Sequence, residues 1–207
     1  RDGQLLQNRR GLWCLPEKLD LRRGVVQGGR DGMGFVTLEE GGPDWVLPPP
    51  EMRKVLPGDR VLVAARGKDR KQRTEAQIVQ IVEENERLLV GRFCVDKGVA
   101  FVTPSDPRIG QDFLVMPGES LDAKPDQIVV FAVTQRAHRH LQPMGRVVEV
   151  LGDHLAPGME VQVAIRSFDL PHEFPKAVLN EVAALHPQVR PEDSAGRIDL
   201  RDLPLVT

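Results

Sequence analysis

Gly32-Met33-Gly34-Phe35-Val36 returns further along the chain as Gly98-Val99-Ala100-Phe101-Val102, and the two copies do not stand alone. Before them, Gly24-Val25-Val26 matches Gly91-Arg92-Phe93. After them, Asp44-Trp45-Val46-Leu47 matches Asp112-Phe113-Leu114-Val115. Asp59-Arg60-Val61 then matches Asp126-Gln127-Ile128, and Ala76-Gln77-Ile78-Val79 matches Gly145-Arg146-Val147-Val148. The offset stays between 66 and 69 residues throughout. Accidental likeness between turn-rich segments would drift, so residues 24–83 and 91–150 read as two copies of one unit. Each copy offers about five short β-rich runs split by Gly, Pro and Asp, among them Val61-Leu62-Val63, Ile78-Val79-Gln80-Ile81-Val82 and Ile128-Val129-Val130-Phe131. That is the pattern of a small closed barrel. Pro48-Pro49-Pro50 and Pro117-Gly118 follow the third run of each copy, and proline, which cannot donate to a central ladder, marks a strand end there.

Outside the repeats the texture changes. Leu5-Leu6 and Leu12-Trp13-Cys14-Leu15 flank Asn8-Arg9-Arg10-Gly11, which predicts a β-hairpin with a basic tip. Beyond Gly152, Met159, Val161, Val163 and Ile165 alternate with Glu160, Gln162, Ala164 and Arg166, the period of a half-buried strand. Pro175 suits a first helical turn, Phe174, Val178, Val182 and Leu185 recur at helical spacing, and Pro187 would end the helix. One strand and one helix cannot bury a core, so residues 154–207 read as the opening of a larger domain. The ends agree with a segment cut from a longer chain: Arg1-Asp2-Gly3-Gln4 is neither an initiator nor a secretory signal, and Leu203 to Thr207 is an apolar run without a following turn.

Composition narrows the function. With 41% hydrophobic residues and a net charge of -2, the chain is ordinary globular protein and no generic polyanion binder. No run approaches the ~18–20 apolar residues of a membrane span. Cys14 and Cys94 lack the CxxC spacing of a metal or redox site, which makes a reducing cytoplasm the expected setting. The distribution of charge says more than its sum. Residues 151–207 carry nine acidic and five basic side chains, leaving 23 basic against 21 acidic in residues 1–150. Arg66, Lys68, Arg70, Lys71 and Arg73 cluster in one loop, and Arg136, His138, Arg139 and His140 in the equivalent loop of the second copy. Cations at matching places between the last two strands of both repeats point to phosphate-facing loops.

The stretch Gly28 to Phe35 fails as a dinucleotide fingerprint, because its glycines run G-x-x-G-x-G and lead into a strand. Gly29-Arg30-Asp31-Gly32 matches the GXXG loop of one RNA-binding module, but no helices flank it. What the order of motifs resembles is the cold-shock domain, an OB-type barrel with ribonucleoprotein motifs on adjacent strands. Two such domains after a basic hairpin, followed by Gly196-Arg197-Ile198-Asp199-Leu200-Arg201-Asp202-Leu203-Pro204-Leu205-Val206-Thr207, resemble the RNase II family of processive 3′-to-5′ exoribonucleases. The likeness covers essentially the whole chain, and Asp199 to Thr207 is its most specific part.

The resemblance implies a mainly β protein: two tandem OB-fold (cold-shock) five-stranded barrels with the α+β opening segment of an incomplete catalytic domain. Residues 1–20 would be the last hairpin of a winged-helix domain, 21–86 the first cold-shock domain, 87–153 the second, and 154–207 the start of the catalytic domain. The implied partners are single-stranded RNA and the remainder of the parent chain, with no membrane. In the family the magnesium-binding aspartates follow the position matching Thr207. The resemblance therefore implies magnesium for the full-length enzyme, and no catalytic or metal-binding residue within this segment, which should be inactive alone. Asp199 and Asp202, flanked by Arg197 and Arg201, read as ion-pair partners, and the five histidines show no ligand spacing.

On this reading Phe35 and Phe101 stack bases, Met33 and Val99 give apolar support, and Arg30, Arg66, Lys68, Arg70, Lys71, Arg136 and Arg139 meet phosphates. Strand alternation puts Val46, Pro48, Leu114 and Met116 on the same face and turns Trp45 and Phe113 inward. Stacking contributes about 1–3 kcal/mol per base, so a single signature aromatic per barrel implies weak capture by either alone. A rival reading follows from the aromatic-poor faces and the negative net charge: a protein-docking or autoinhibitory lid with incidental RNA contact. A free-standing cold-shock factor fits the ends of the chain less well.

Overall fold

The computed structural model describes residues 6–7, 13–14, 20–29, 31–138, 141–185, 188–198 and 200. It divides into two compact units, Arg1–Asp169 and Leu170–Thr207. In the first unit, β1 (Leu6–Gln7) and β2 (Trp13–Cys14) pair as an antiparallel hairpin, as the apolar runs predicted. Two closed five-stranded barrels follow. Barrel 1 is built from β3 (Leu21–Gly28), β4 (Gly34–Leu38), β5 (Trp45–Leu47), β6 (Arg60–Lys68) and β7 (Thr74–Glu83). Barrel 2 repeats it with β8 (Leu89–Asp96), β9 (Val99–Pro104), β10 (Phe113–Val115), β11 (Gln127–Gln135) and β12 (Met144–Asp153). Each closes through one parallel contact, β5 with β7 and β10 with β12.

The duplication holds down to single contacts. A Cβ on Gly24 would lie 2.6 Å from the Thr37 carbonyl oxygen and run into Val36, and a Cβ on Gly91 would lie 2.6 Å from the Thr103 oxygen and run into Val102. Both barrels thus need a bare backbone where the first strand coils over the second. Barrel 1 packs Val26, Val36, Leu47, Val61, Val63 and Ala76, closed at one end by α1 (Pro49–Met52) through Met52. Barrel 2 packs Phe93, Val102, Val115, Val129 and Val147 around Phe113 and Phe131, whose ring centroids are 5.2 Å apart and tilted by 54°.

The run Ile128 to Phe131 is buried without a break because both its faces are covered. Val129 and Phe131 point into the barrel, while Ile128 and Val130 lie under Met159 and Val163. Those two residues belong to α2 (Met159–Ser167), so the strand expected at 159–166 is a helix. The apolar residues two apart also contain the pair Met159 and Val163 at i, i+4, which is one helical face. A closed barrel leaves no free edge for another strand, and the backbone turns into the helix at Gly158, with φ +80°.

The expected helix after Pro175 is α3 (Lys176–Ala183) in the second unit, and none of its residues is buried. Pro187 lies outside the described residues.

The barrels are fastened together. Asp59, fully buried in the loop before β6, accepts the backbone N–H of Leu56 at 2.6 Å and that of Asn85 at 2.7 Å. Arg136, at the end of β11, closes on both oxygens of the same carboxylate at 3.1 and 3.2 Å and donates to the Asn85 carbonyl. The Asn85 amide returns to the Pro57 carbonyl. Beside this joint Leu56, from barrel 1, is buried in the core cluster of barrel 2. On the other side Gly28 faces barrel 2 so closely that a Cβ would lie 2.7 Å from the Arg108 Cβ. Burial is the largest influence on the Asp59 carboxyl and holds its pKa above the ordinary value, against the pull of the two N–H groups and of Arg136. At the equivalent position of barrel 2, the Asp126 carboxylate instead forms an exposed pair with Arg92.

Removing Arg136 leaves a buried carboxylate without its counter-charge, so Arg136→Ala should destabilise by about 3–5 kcal/mol, whereas Arg92→Ala, at the exposed pair, should cost no more than about 1 kcal/mol. Urea midpoints of the two variants measure the contrast, and equal midpoints would contradict the joint.

Candidate nucleic-acid interface

Strand register lines up one outward row on each barrel. In barrel 1, Gln27 on β3 faces Phe35 on β4, Phe35 faces Val46 on β5, and Val46 faces Glu75 on β7. In barrel 2 the corresponding row is Cys94, Phe101, Leu114 and Met144. Cross-strand partners share a face, so Phe35 and Phe101 both point away from their cores, and both are half-buried. Met33, two residues before Phe35, is half-buried, and Val99, two before Phe101, is exposed. Met116 is exposed and Leu114 half-buried on this face, while Phe113 is fully buried, as alternation predicted. Trp45 also packs against the core of its barrel. Val46 departs from expectation: it stands on the Phe35 face by register but is only 1% exposed, hence closed to contact.

The cationic residues separate into two groups. Arg66 and Lys68 on the outer part of β6, with Arg70 and Lys71 in the turn beyond it, are all exposed. Arg136, expected to meet phosphate, does not belong with them: its side chain is only 12% exposed and its guanidinium is engaged by Asp59 in the joint between the barrels. Arg30 and Arg139 lie outside the described residues. Of the predicted phosphate contacts among the described residues, the exposed ones therefore all lie on barrel 1, at the hairpin whose second strand adjoins the Phe35 row.

Arg73 is the residue that the sequence reading left out of the site. Its guanidinium carbon stands 5.6 Å from the centre of the Phe35 ring, within cation–π range. Asp69 holds it there. One Asp69 oxygen accepts the backbone N–H groups of Lys71 and Arg73, each at 2.8 Å, and the other accepts Arg73 Nε at 2.8 Å. The spacing Asp69-x-x-x-Arg73 across a turn was a legible signal, but only the fold brings the turn to Phe35. No cation is recorded over Phe101 among the described residues.

Desolvation pushes the Asp69 carboxyl upward, but the Arg73 N–H, the Arg73 guanidinium and the Lys71 N–H outweigh it, and the carboxyl lies below the ordinary aspartate value. A carboxyl depressed in the folded state adds stability above its unfolded pKa of about 3.9, and that stability is lost as the pH falls through the lower folded value. The hairpin turn is therefore fastened at neutral pH. An NMR titration of Asp69 should place its midpoint below that of an unperturbed aspartate, and Arg73→Ala should move the midpoint upward; an ordinary midpoint in both proteins contradicts the clamp.

Among the described residues no group of three or more His, Cys, Asp and Glu is gathered to hold a metal ion, and Asp199 and Asp202 lie outside them.

Comparison with known proteins adds two family matches: a ribonuclease B OB domain over residues 24–81 and a cold shock domain over residues 101–175. Ribonuclease R of Acidithiobacillus ferrooxidans is 47% identical over 209 residues, covering 100% of this chain and 48% of that protein. Ribonuclease R of Escherichia coli K12 is 44% identical over 207 residues, covering 100% of this chain and 26% of that protein. The chain thus spans about half of the first relative and about a quarter of the second. Among solved structures, Mycoplasma genitalium RNase R in complex with ribose-methylated single-stranded RNA matches with a TM-score of 0.67 and 19% identity, over 87% of this chain and 29% of that one. At that identity the likeness speaks for the fold.

Proposed function

Because the chain belongs to the ribonuclease R family, we propose that its two barrels capture unpaired RNA and guide it towards the catalytic domain of a 3′-to-5′ exoribonuclease. The observation that carries this reading is the outward-facing Phe35 of barrel 1 beside an exposed hairpin bearing Arg66, Lys68, Arg70 and Lys71. Phosphate attraction supplies affinity without sequence preference, and bases add stacking on Phe35 and Phe101 with Met33 and Val99 as apolar neighbours. The fixed joint between the barrels would let both faces serve one strand. Such an enzyme hydrolyses phosphodiester bonds with magnesium ions held by paired carboxylates, which activate water and stabilise the leaving oxygen. In the family the carboxylates that would hold those ions follow the position matching Thr207, so the proposal gives this segment binding and orientation and no catalytic step.

Among the described residues no helix is long and apolar enough to cross a membrane. The proposal sets the protein in the cytoplasm, where RNA turnover takes place and where a free cysteine such as Cys94 stays reduced.

A docking role is the second reading, favoured by one feature. A cleft of about 540 Å³ opens between the Ser105 to Ile109 loop, the linker at Asn85 to Leu89, and α2. Phe168 at its wall is 73% exposed and Leu88 46% exposed.

Titration with fluorescent poly(U) across a salt series separates the two readings. RNA guidance predicts that log affinity falls with log salt by about 0.7 per phosphate contacted. The double variant Phe35→Ala, Phe101→Ala should lose about tenfold in affinity, with that slope retained. Absence of binding at low salt, or indifference to the double variant, favours docking.

A further inference from the structure

We infer that Arg73 is a base-stacking residue, the outer layer of a preassembled two-layer platform on Phe35, and that this platform makes barrel 1 the principal capture site for an unpaired nucleobase. The inference rests on the RNA reading above and goes beyond it by naming the residue and its mode of contact.

The geometry carries the argument. Phe35 is half-buried, and the Arg73 guanidinium stands over its ring at 5.6 Å, so part of the ring face is already in use. A base approaching that face meets the planar guanidinium. Guanidinium planes accept base stacking on one side while resting on an aromatic ring on the other, and they are weakly hydrated, so little water must be stripped. A lone arginine would lose rotamer freedom on binding. Here that freedom is already restricted, because Asp69 takes Arg73 Nε at 2.8 Å and a second guanidinium nitrogen at 2.7 Å. The same carboxylate binds the Lys71 and Arg73 backbone N–H groups, so the turn and the side chain are set together.

Among the described residues barrel 2 has no counterpart. Its row of Cys94, Phe101, Leu114 and Met144 is apolar, and Arg136, the described arginine of its equivalent loop, is withdrawn into the joint. Among the described residues the repeat thus keeps the aromatic in both copies and an arginine over it in one.

The test replaces Arg73 by lysine, which keeps the charge and loses the plane. Wild type, Arg73→Lys and Arg70→Ala are titrated with oligo(U) carrying a single 2-aminopurine, read by anisotropy and by fluorescence quenching across a salt series. Arg73→Lys should bind about fivefold more weakly, with reduced quenching and an unchanged salt slope, whereas Arg70→Ala should lower the slope by about 0.7 with quenching retained. Phe35→Leu, which preserves the apolar bulk of the strand, should reduce quenching in parallel with Arg73→Lys. Arg73→Lys behaving as wild type overturns the inference, since charge alone would then suffice, and tighter binding by Arg73→Lys overturns it as well, since Arg73 would then be a cover over Phe35. Failure of the wild type to bind the oligonucleotide instead removes the RNA reading itself.

Discussion

The ion pair between Asp59 and Arg136 governs how the two barrels are used. Burying a carboxylate is costly, and here the cost is offset by a full set of donors, two backbone N–H groups and a two-pronged guanidinium. The donors come from three places in the chain: the loop before β6, the linker between barrels and the end of β11. Satisfying one carboxylate therefore fixes all three relative to one another. Leu56 in the neighbouring core and the bare backbone at Gly28 tighten the same contact on either side. Within this unit the row on β4 and the row on β9 keep a set relation, which two barrels on a flexible linker would not have.

Duplication followed by divergence accounts for the asymmetry of the surface. Both copies keep the glycine under the second strand, the aromatic on its outer face and the aspartate before the fourth strand. The aspartate became a joint in the first copy and stayed an exposed surface partner in the second. That reassignment drew Arg136 inward, so that of the described cations expected to meet phosphate the exposed ones are Arg66, Lys68, Arg70 and Lys71, at the β6–β7 hairpin of barrel 1. A protein of net charge -2 can still present a local positive field there, because exposed charges act only over a screening length of about 8–10 Å.

Much of the fold was legible because barrel formation is written in local signals. Prolines after the third run ended β5 and β10, alternation turned Phe113 inward, and the constant offset fixed two barrels instead of one large sheet. The errors have a common cause. Met159 to Ile165 satisfied a strand period and a helix face equally, and the absence of an open sheet edge decided for the helix. Val46 obeyed alternation and was nevertheless covered. Arg136 sat in a cationic cluster by sequence, but its partner lies 77 residues away. Arg73 belonged to the cluster as well, and nothing local placed it over Phe35.

What the sequence alone determined was the repeat, the strand count of each copy, the outward aromatic and the position of the basic hairpin, because turn chemistry and a period of two act between near neighbours. Tertiary structure decided which cations remain free, which one fastens the barrels and which one lies on the aromatic ring. Those outcomes depend on groups far apart in the chain meeting where water is excluded, and the penalty for an unpaired buried charge, which selects among them, exists only once the chain has closed around it.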